Sequence, residues 1–111
     1  MHSAKAALTL QKLVGVKKRK AEQRLGEVQM ARERIASEIG DIRKSLDKKS
    51  LEIEAFRDVS IAAQNGLSER MFQKLQQLNY QDLALEQERK LIEVELKSAL
   101  HAERELGRKN Q

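Results

Sequence analysis

Residues 63–72 read AQNGLSERMF, the strongest interruption in a chain that contains no proline and otherwise favours continuous helix. Gly66 tolerates the left-handed backbone conformation with which many helices end, and Asn65 suits the final turn before it. Ser68 is a favoured N-cap, because its hydroxyl accepts a hydrogen bond from a free backbone N–H of the next helix. The stretch therefore predicts a turn at residues 64–68.

The composition points to long helices rather than a globular core. Of the 111 residues, 35% are charged and only 3% are aromatic, which leaves few large apolar side chains for a compact interior. There is no cysteine, so disulfides and thiolate metal sites are excluded. The longest apolar runs are too short for a membrane span or a signal peptide. We therefore expect a soluble, cytoplasmic protein.

Apolar residues recur in both halves at alternating steps of three and four, which is the heptad pattern of a coiled-coil seam. The first seam consists of Leu25, Val28, Arg32, Ile35, Ile39, Ile42, Leu46, Lys49, Ile53 and Phe56. The second consists of Met71, Leu75, Leu78, Asp82, Leu85, Arg89, Ile92, Leu96, Ala99, Glu103 and Leu106. The sequence predicts an all-α, two-helix antiparallel coiled-coil hairpin, with helix one over about 4–65 and helix two over about 68–108.

A turn centred between residues 65 and 66 would fix how the two seams face each other. Facing residues should then have numbers that add up to about 131, and this register brings Lys49 opposite Asp82 as an ion pair within the seam. Arg32 should lie near Glu103, whereas Arg89 has no predicted seam partner. The alternative is a parallel dimer that uses the same heptads and treats Asn65–Gly66 as a stutter.

This register leaves residues 1–19 without a partner helix. Residues 1–24 contain seven basic side chains against the single acidic Glu22, together with Leu8, Leu10, Leu13, Val14 and Val16. An unpaired helix with apolar residues at three- and four-residue spacing and a strong positive charge is typical of a segment that docks on an acidic partner. We therefore expect the N-terminal segment to be the docking element.

The opening of the chain also carries a family resemblance. Residues 8–28, LTLQKLVGVKKRKAEQRLGEV, combine a leucine-rich start with a basic cluster and lead into a short antiparallel hairpin. In this pattern, in length and in charge, nearly the whole chain resembles the export-stalk family of bacterial flagellar and type III secretion systems, the FliJ/YscO group. The chain departs from that family in having no long C-terminal extension past the N-terminal helix.

The resemblance implies a function as a stalk or adaptor at the cytoplasmic face of the secretion apparatus. Such a hairpin enters the central hole of a hexameric export ATPase and contacts the export-gate membrane protein; secretion chaperones are further candidate partners. By position, the residues that would bind the ATPase are Leu10, Leu13, Val14, Lys17, Lys18, Arg19, Lys20, Arg24 and Arg108. Those that would bind the export gate are Phe72, Gln76, Tyr80 and Leu83.

Nothing in the sequence predicts catalysis. His2 and His101 are isolated, and none of the five glycines forms a phosphate-binding loop, so we expect no enzyme activity, no metal and no cofactor. The main alternative function is nucleic-acid binding through VKKRK, residues 16–20, although the aromatic side chains that stack on single strands are nearly absent. Another coiled-coil adaptor, a solvated charged face and a membrane-surface helix are the remaining alternatives.

Overall fold

A computed structural model shows the predicted all-α hairpin. Helix α1 spans His2–Ala55 and helix α2 spans Ile61–Lys109, and the two long helices pack against each other. The structure describes the backbone of residues 2–55 and 61–109, and the side chains of residues 4–48 and 66–108. Within this part of the chain no helix is both long enough and apolar enough to cross a membrane.

The predicted turn at residues 64–68 is wrong, because α2 already begins at Ile61 and runs through this stretch. Gly66 has a right-handed backbone, and Ser68 lies inside the helix rather than at its start. Glycine in a helix interior costs only about 1 kcal/mol relative to alanine, and asparagine costs less. The packing of α2 against α1 outweighs these small local preferences, so the helix continues through Asn65 and Gly66.

The two predicted seams are confirmed at every described position except Glu103. All of their members are buried or half-buried except Glu103, which is exposed, while Lys49, Ile53 and Phe56 lie outside the described side chains. The most deeply buried members are Leu78 and Ile92, which are 2% and 0% exposed. Heptad spacing places these residues on one face of each helix, and burial of that face is the main apolar contribution to the hairpin.

The predicted register is wrong by two heptads. The ion pairs Lys18–Glu103, Arg24–Glu95 and Arg32–Asp82 join the helices, and their residue numbers add up to 121, 119 and 114. The seams keep their heptad phase at about 117, which is two heptads below the predicted 131. A shift of whole heptads again sets apolar residues opposite apolar ones, so the pattern alone does not distinguish the two registers.

The change of register also changes the partners of the polar seam residues. Asp82 pairs with Arg32, whose guanidinium donates hydrogen bonds of 2.9 Å and 3.4 Å to the two carboxylate oxygens of Asp82. Lys49, the residue predicted opposite Asp82, lies outside the described side chains. Glu103, the residue predicted near Arg32, pairs with Lys18 at 3.5 Å. The long unpaired segment also disappears, because at a sum of about 117 the end of α2 at Lys109 faces about residue 8, so only about the first seven residues lack a facing position on α2.

The hairpin divides into two compact units. The terminal unit comprises residues 1–30 and 86–111, and the connecting unit comprises residues 31–85. Arg24–Glu95 and Lys18–Glu103 join the helices within the terminal unit, and Arg32–Asp82 joins them within the connecting unit. Each unit therefore has its own interhelix ion pairing.

Candidate functional site

The terminal unit holds the entire net charge of the protein. Residues 1–30 contain seven basic and two acidic side chains, and residues 86–111 contain six of each, which gives this unit the full +5. The connecting unit has nine basic and nine acidic side chains and is neutral. An excess of positive charge confined to one unit raises the local concentration of acidic partners there.

Five of the predicted ATPase-binding residues share one exposed face of α1. Leu10, Leu13, Lys17, Lys20 and Arg24 follow one another at steps of three and four, so they form a stripe along the helix. The two leucines are 50% and 53% exposed, a high value for large aliphatic side chains. The stripe combines apolar anchors near the N-terminus with cations further along the helix.

Two other predicted residues, Val14 and Lys18, are half-buried on the side of α1 that faces α2. The Lys18 ammonium lies 3.5 Å from a carboxylate oxygen of Glu103 on α2. These two residues therefore belong mainly to the packing of the hairpin, and the structure does not place them in the exposed stripe.

Arg19 and Arg108 are also separate from the stripe. Arg19 lies on the opposite flank of α1, where it lines a shallow groove of about 420 Å³ with Leu8, Lys12 and Val16. Arg108 is exposed near the end of α2, 3.6 Å from Glu105 of the same helix. The structure thus brings five of the nine predicted residues onto one surface.

A larger groove lies between the helices of the terminal unit, with a volume of about 570 Å³. Its apolar surface comes from Val14 and Ala21 of α1 and from Val94, Ala99 and Ala102 of α2. The alanines are too small to fill the space between the two helices, so a depression remains beside the seam. Lys17, Lys20 and Arg24 line the α1 side of this groove.

The three cations of the groove differ in their surroundings. Arg24 donates a hydrogen bond of 3.1 Å to Glu95 across the helices. Lys17 and Lys20 make no ion pair and no side-chain hydrogen bond with any residue whose side chain the structure describes. These two ammonium groups remain available to an acidic ligand.

Elsewhere in the terminal unit, Arg89 is engaged by its own helix. Its guanidinium donates hydrogen bonds to Glu86 and to Glu93, the latter at 2.6 Å. Hydrogen bonding to Glu86 first, and then to Glu93, raises the pKa of Arg89 above its already high usual range. This seam arginine, for which no partner was predicted, thus satisfies its charge within α2.

The four predicted gate-binding residues belong to the connecting unit. Phe72, Gln76, Tyr80 and Leu83 are all exposed and lie on one face of α2 at steps of four, four and three. The structure therefore presents them together on a surface without assigning them a ligand.

Sequence reasoning missed the contribution of α2 to the groove. Val94, Ser98 and Ala102 follow one another at steps of four on this helix, next to the seam residue Ala99. The run of small side chains beside Ala99 was the available signal, but in the predicted register these residues did not face the basic cluster. Neither protein-family models, nor curated proteins, nor solved structures yield a match to this chain.

Proposed function

We propose that this hairpin is the stalk or adaptor of a type III secretion or flagellar export apparatus, which binds the hexameric export ATPase and links it to the export gate. The observation that carries the proposal is the stripe of Leu10, Leu13, Lys17, Lys20 and Arg24 on the charged unit of an antiparallel hairpin. Exposed leucines supply anchoring area, and neighbouring cations steer an acidic partner into place.

The docking element in this proposal is a face of a paired helix rather than an unpaired segment. The pairing of Lys18 with Glu103 shows that α1 is already held by α2 along the basic cluster. A held helix presents its stripe without an ordering cost on binding, which favours a stable complex. The exposed face of Phe72, Gln76, Tyr80 and Leu83 on the connecting unit is the proposed contact for the export-gate protein.

The test is stimulation of a purified hexameric export ATPase by the full-length hairpin. Leu10→Ser with Leu13→Ser should weaken the apparent affinity by at least about tenfold, because each exposed anchor is expected to contribute on the order of 1 kcal/mol. The matched control is Leu8→Ser with Val16→Ser, which changes two exposed apolar residues on the opposite flank of the same helix. Circular dichroism should show the same helicity for both pairs.

If the two double variants lose apparent affinity for the ATPase equally, the stripe is not the docking surface. If the wild-type hairpin neither binds nor stimulates the ATPase, the export role is wrong. If, in addition, Lys17→Glu with Lys20→Glu abolishes salt-dependent binding to DNA, nucleic-acid binding replaces it.

A further inference from the structure

We infer that the interhelix groove of the terminal unit is a docking site for an acidic amphipathic helix of a partner protein. The inference deepens the proposed function by naming the chemistry of a partner at the basic unit, and it rests on that function only for placing this partner in an export apparatus. Two features of the groove carry it: an apolar floor between the helices, and the ammonium groups of Lys17 and Lys20 along one edge, which pair with no side chain that the structure describes.

The apolar floor of the groove disfavours ligands that carry negative charge but no apolar surface. It is formed by aliphatic side chains, of which Ala21 and Ala99 are buried at the bottom while Val94 is largely exposed at the rim. A phosphate backbone could pair with the lysines but would leave this apolar surface in water. A partner that inserts aliphatic side chains gains from burying it, at about 25 cal/mol per Å².

The lysines along one edge of the groove favour a partner with negative charge. Lys17 and Lys20 lie three residues apart, so their ammonium groups line one wall about a turn of helix from each other. Among the described residues that line the opposite wall, the one acid is Glu95, and its carboxylate pairs with Arg24. Carboxylates flanking the apolar face of a bound helix would meet the two free lysines.

The length of the groove sets the size of the segment. Its walls run from Val14 to Arg24 on α1, roughly 15 Å at 1.5 Å per residue. This accommodates about three turns of helix, with apolar anchors at positions i, i+4 and i+7 as in other helix-in-groove complexes. The expected ligand is therefore a short segment with three such anchors and Asp or Glu beside them.

The probe is a fluorescein-labelled 14-residue peptide with leucines at i, i+4 and i+7 and glutamates beside them, titrated with the full chain and followed by fluorescence anisotropy. Two sister peptides separate the contributions: one replaces the leucines with glutamine and keeps the charge, and the other replaces the glutamates with glutamine and keeps the apolar face. The parent peptide should bind with a micromolar Kd that rises with salt, and both sisters should bind at least about tenfold more weakly.

Variants of the hairpin test the site itself. Lys17→Glu with Lys20→Glu should raise the Kd by at least about tenfold and remove the salt dependence, whereas Lys44→Glu with Lys48→Glu, the same change at exposed lysines of the connecting unit, should stay within about twofold. Ala102→Phe should fill the groove and raise the Kd by at least about fivefold at any salt concentration.

The inference is wrong if the parent peptide does not bind below millimolar concentration. It is also wrong if the Lys17/Lys20 variant and the Lys44/Lys48 variant weaken peptide binding equally. Tighter binding of double-stranded DNA through Lys17 and Lys20, unaffected by Ala102→Phe, overturns it in favour of nucleic acid. A hairpin that binds the peptide but does not stimulate the ATPase refutes the export role alone. A hairpin that stimulates the ATPase but does not bind the peptide refutes the groove alone.

Discussion

The two units of the hairpin are built from the same heptad pattern but differ in what they do with polar side chains. In the connecting unit, the Arg32–Asp82 pair lies within the seam, and the two side chains are only 29% and 36% exposed. In the terminal unit, the Arg24–Glu95 and Lys18–Glu103 pairs include more exposed side chains, and the surface cations Lys17 and Lys20 form no ion pair with any described side chain. A pair within the seam restricts register, whereas surplus surface charge is available for a partner.

The apolar interface differs between the units in a corresponding way. In the terminal unit the buried alanines Ala21 and Ala99 lie in the helix interface and line a groove of about 570 Å³. In the connecting unit the seam consists largely of leucine and isoleucine, and a groove of about 530 Å³ is lined by Ala31, Ile35, Ala84 and Leu85. Small residues thus shape a recess where the positive charge is concentrated.

The largest expected effect comes from removing the core side chain of either unit. Ile92→Ala in the terminal unit and Leu78→Ala in the connecting unit should each lower the free energy of unfolding by about 2–4 kcal/mol, because both side chains are fully buried. Urea unfolding followed by circular dichroism measures the loss. The control is Leu91→Ala, next to Ile92 but exposed, which should change stability by less than about 0.5 kcal/mol.

These two core variants also test whether the units are energetically distinct. If each variant shifts one single transition, the hairpin unfolds as one cooperative unit. Two separated transitions, with each variant moving a different one, would show that the structural division is also a thermodynamic one. A loss in Leu91→Ala as large as in Ile92→Ala would contradict the assigned core.

The next effect concerns the seam pair of the connecting unit. Asp82→Leu should lower the free energy of unfolding by about 1–3 kcal/mol, since it removes the ion pair and hydrogen bonds that the Asp82 carboxylate makes with the half-buried Arg32 guanidinium. Adding Arg32→Leu should recover much of that loss, because the seam then contains two apolar side chains. A double-mutant cycle measured by urea unfolding gives the coupling energy. Strictly additive losses would mean that the two side chains do not interact.

The heptad pattern determines which residues form the seam, but it does not determine how the two helices are shifted along each other. The identity of the seam residues came from the sequence, because each is fixed by its spacing within its own helix. The register did not, because sliding the helices by whole heptads preserves apolar contacts, and only the position of the turn distinguishes the choices. The turn was predicted at the wrong place because Gly66 was interpreted as the end of a helix. Residues 56–60, FRDVS, contain Asp58 and Ser60, residue types that also favour helix starts.

The same error explains the part of the candidate site that was missed. Leu10, Leu13, Lys17 and Lys20 were predicted from an unpaired segment that the structure does not have, but their solvent exposure follows from their position outside the seam and so holds in either register. The groove requires residues of both helices at the same level, and α2 contributes Val94, Ser98 and Ala102 only in the observed register. A two-helix site therefore depends on the turn in a way that a one-helix stripe does not.

The smallest effect is the most direct test of that register, because its sign differs between the two folds. Gly66 lies within α2 with a right-handed backbone, and a Cβ added there meets no atom within 4 Å. Gly66→Ala should therefore stabilise the hairpin by about 0.5–1 kcal/mol, because alanine loses less backbone entropy in a helix. Gly40→Ala, at an equally open helical position of α1 in the same unit, is the matched control and should give a similar gain.

If Gly66 instead closed a helix in the left-handed conformation, alanine would destabilise the protein by about 1 kcal/mol or more while Gly40→Ala still stabilised it. Urea unfolding of the two variants against the wild type distinguishes these outcomes, and a loss confined to Gly66→Ala would restore the turn at residues 64–68 and remove the groove.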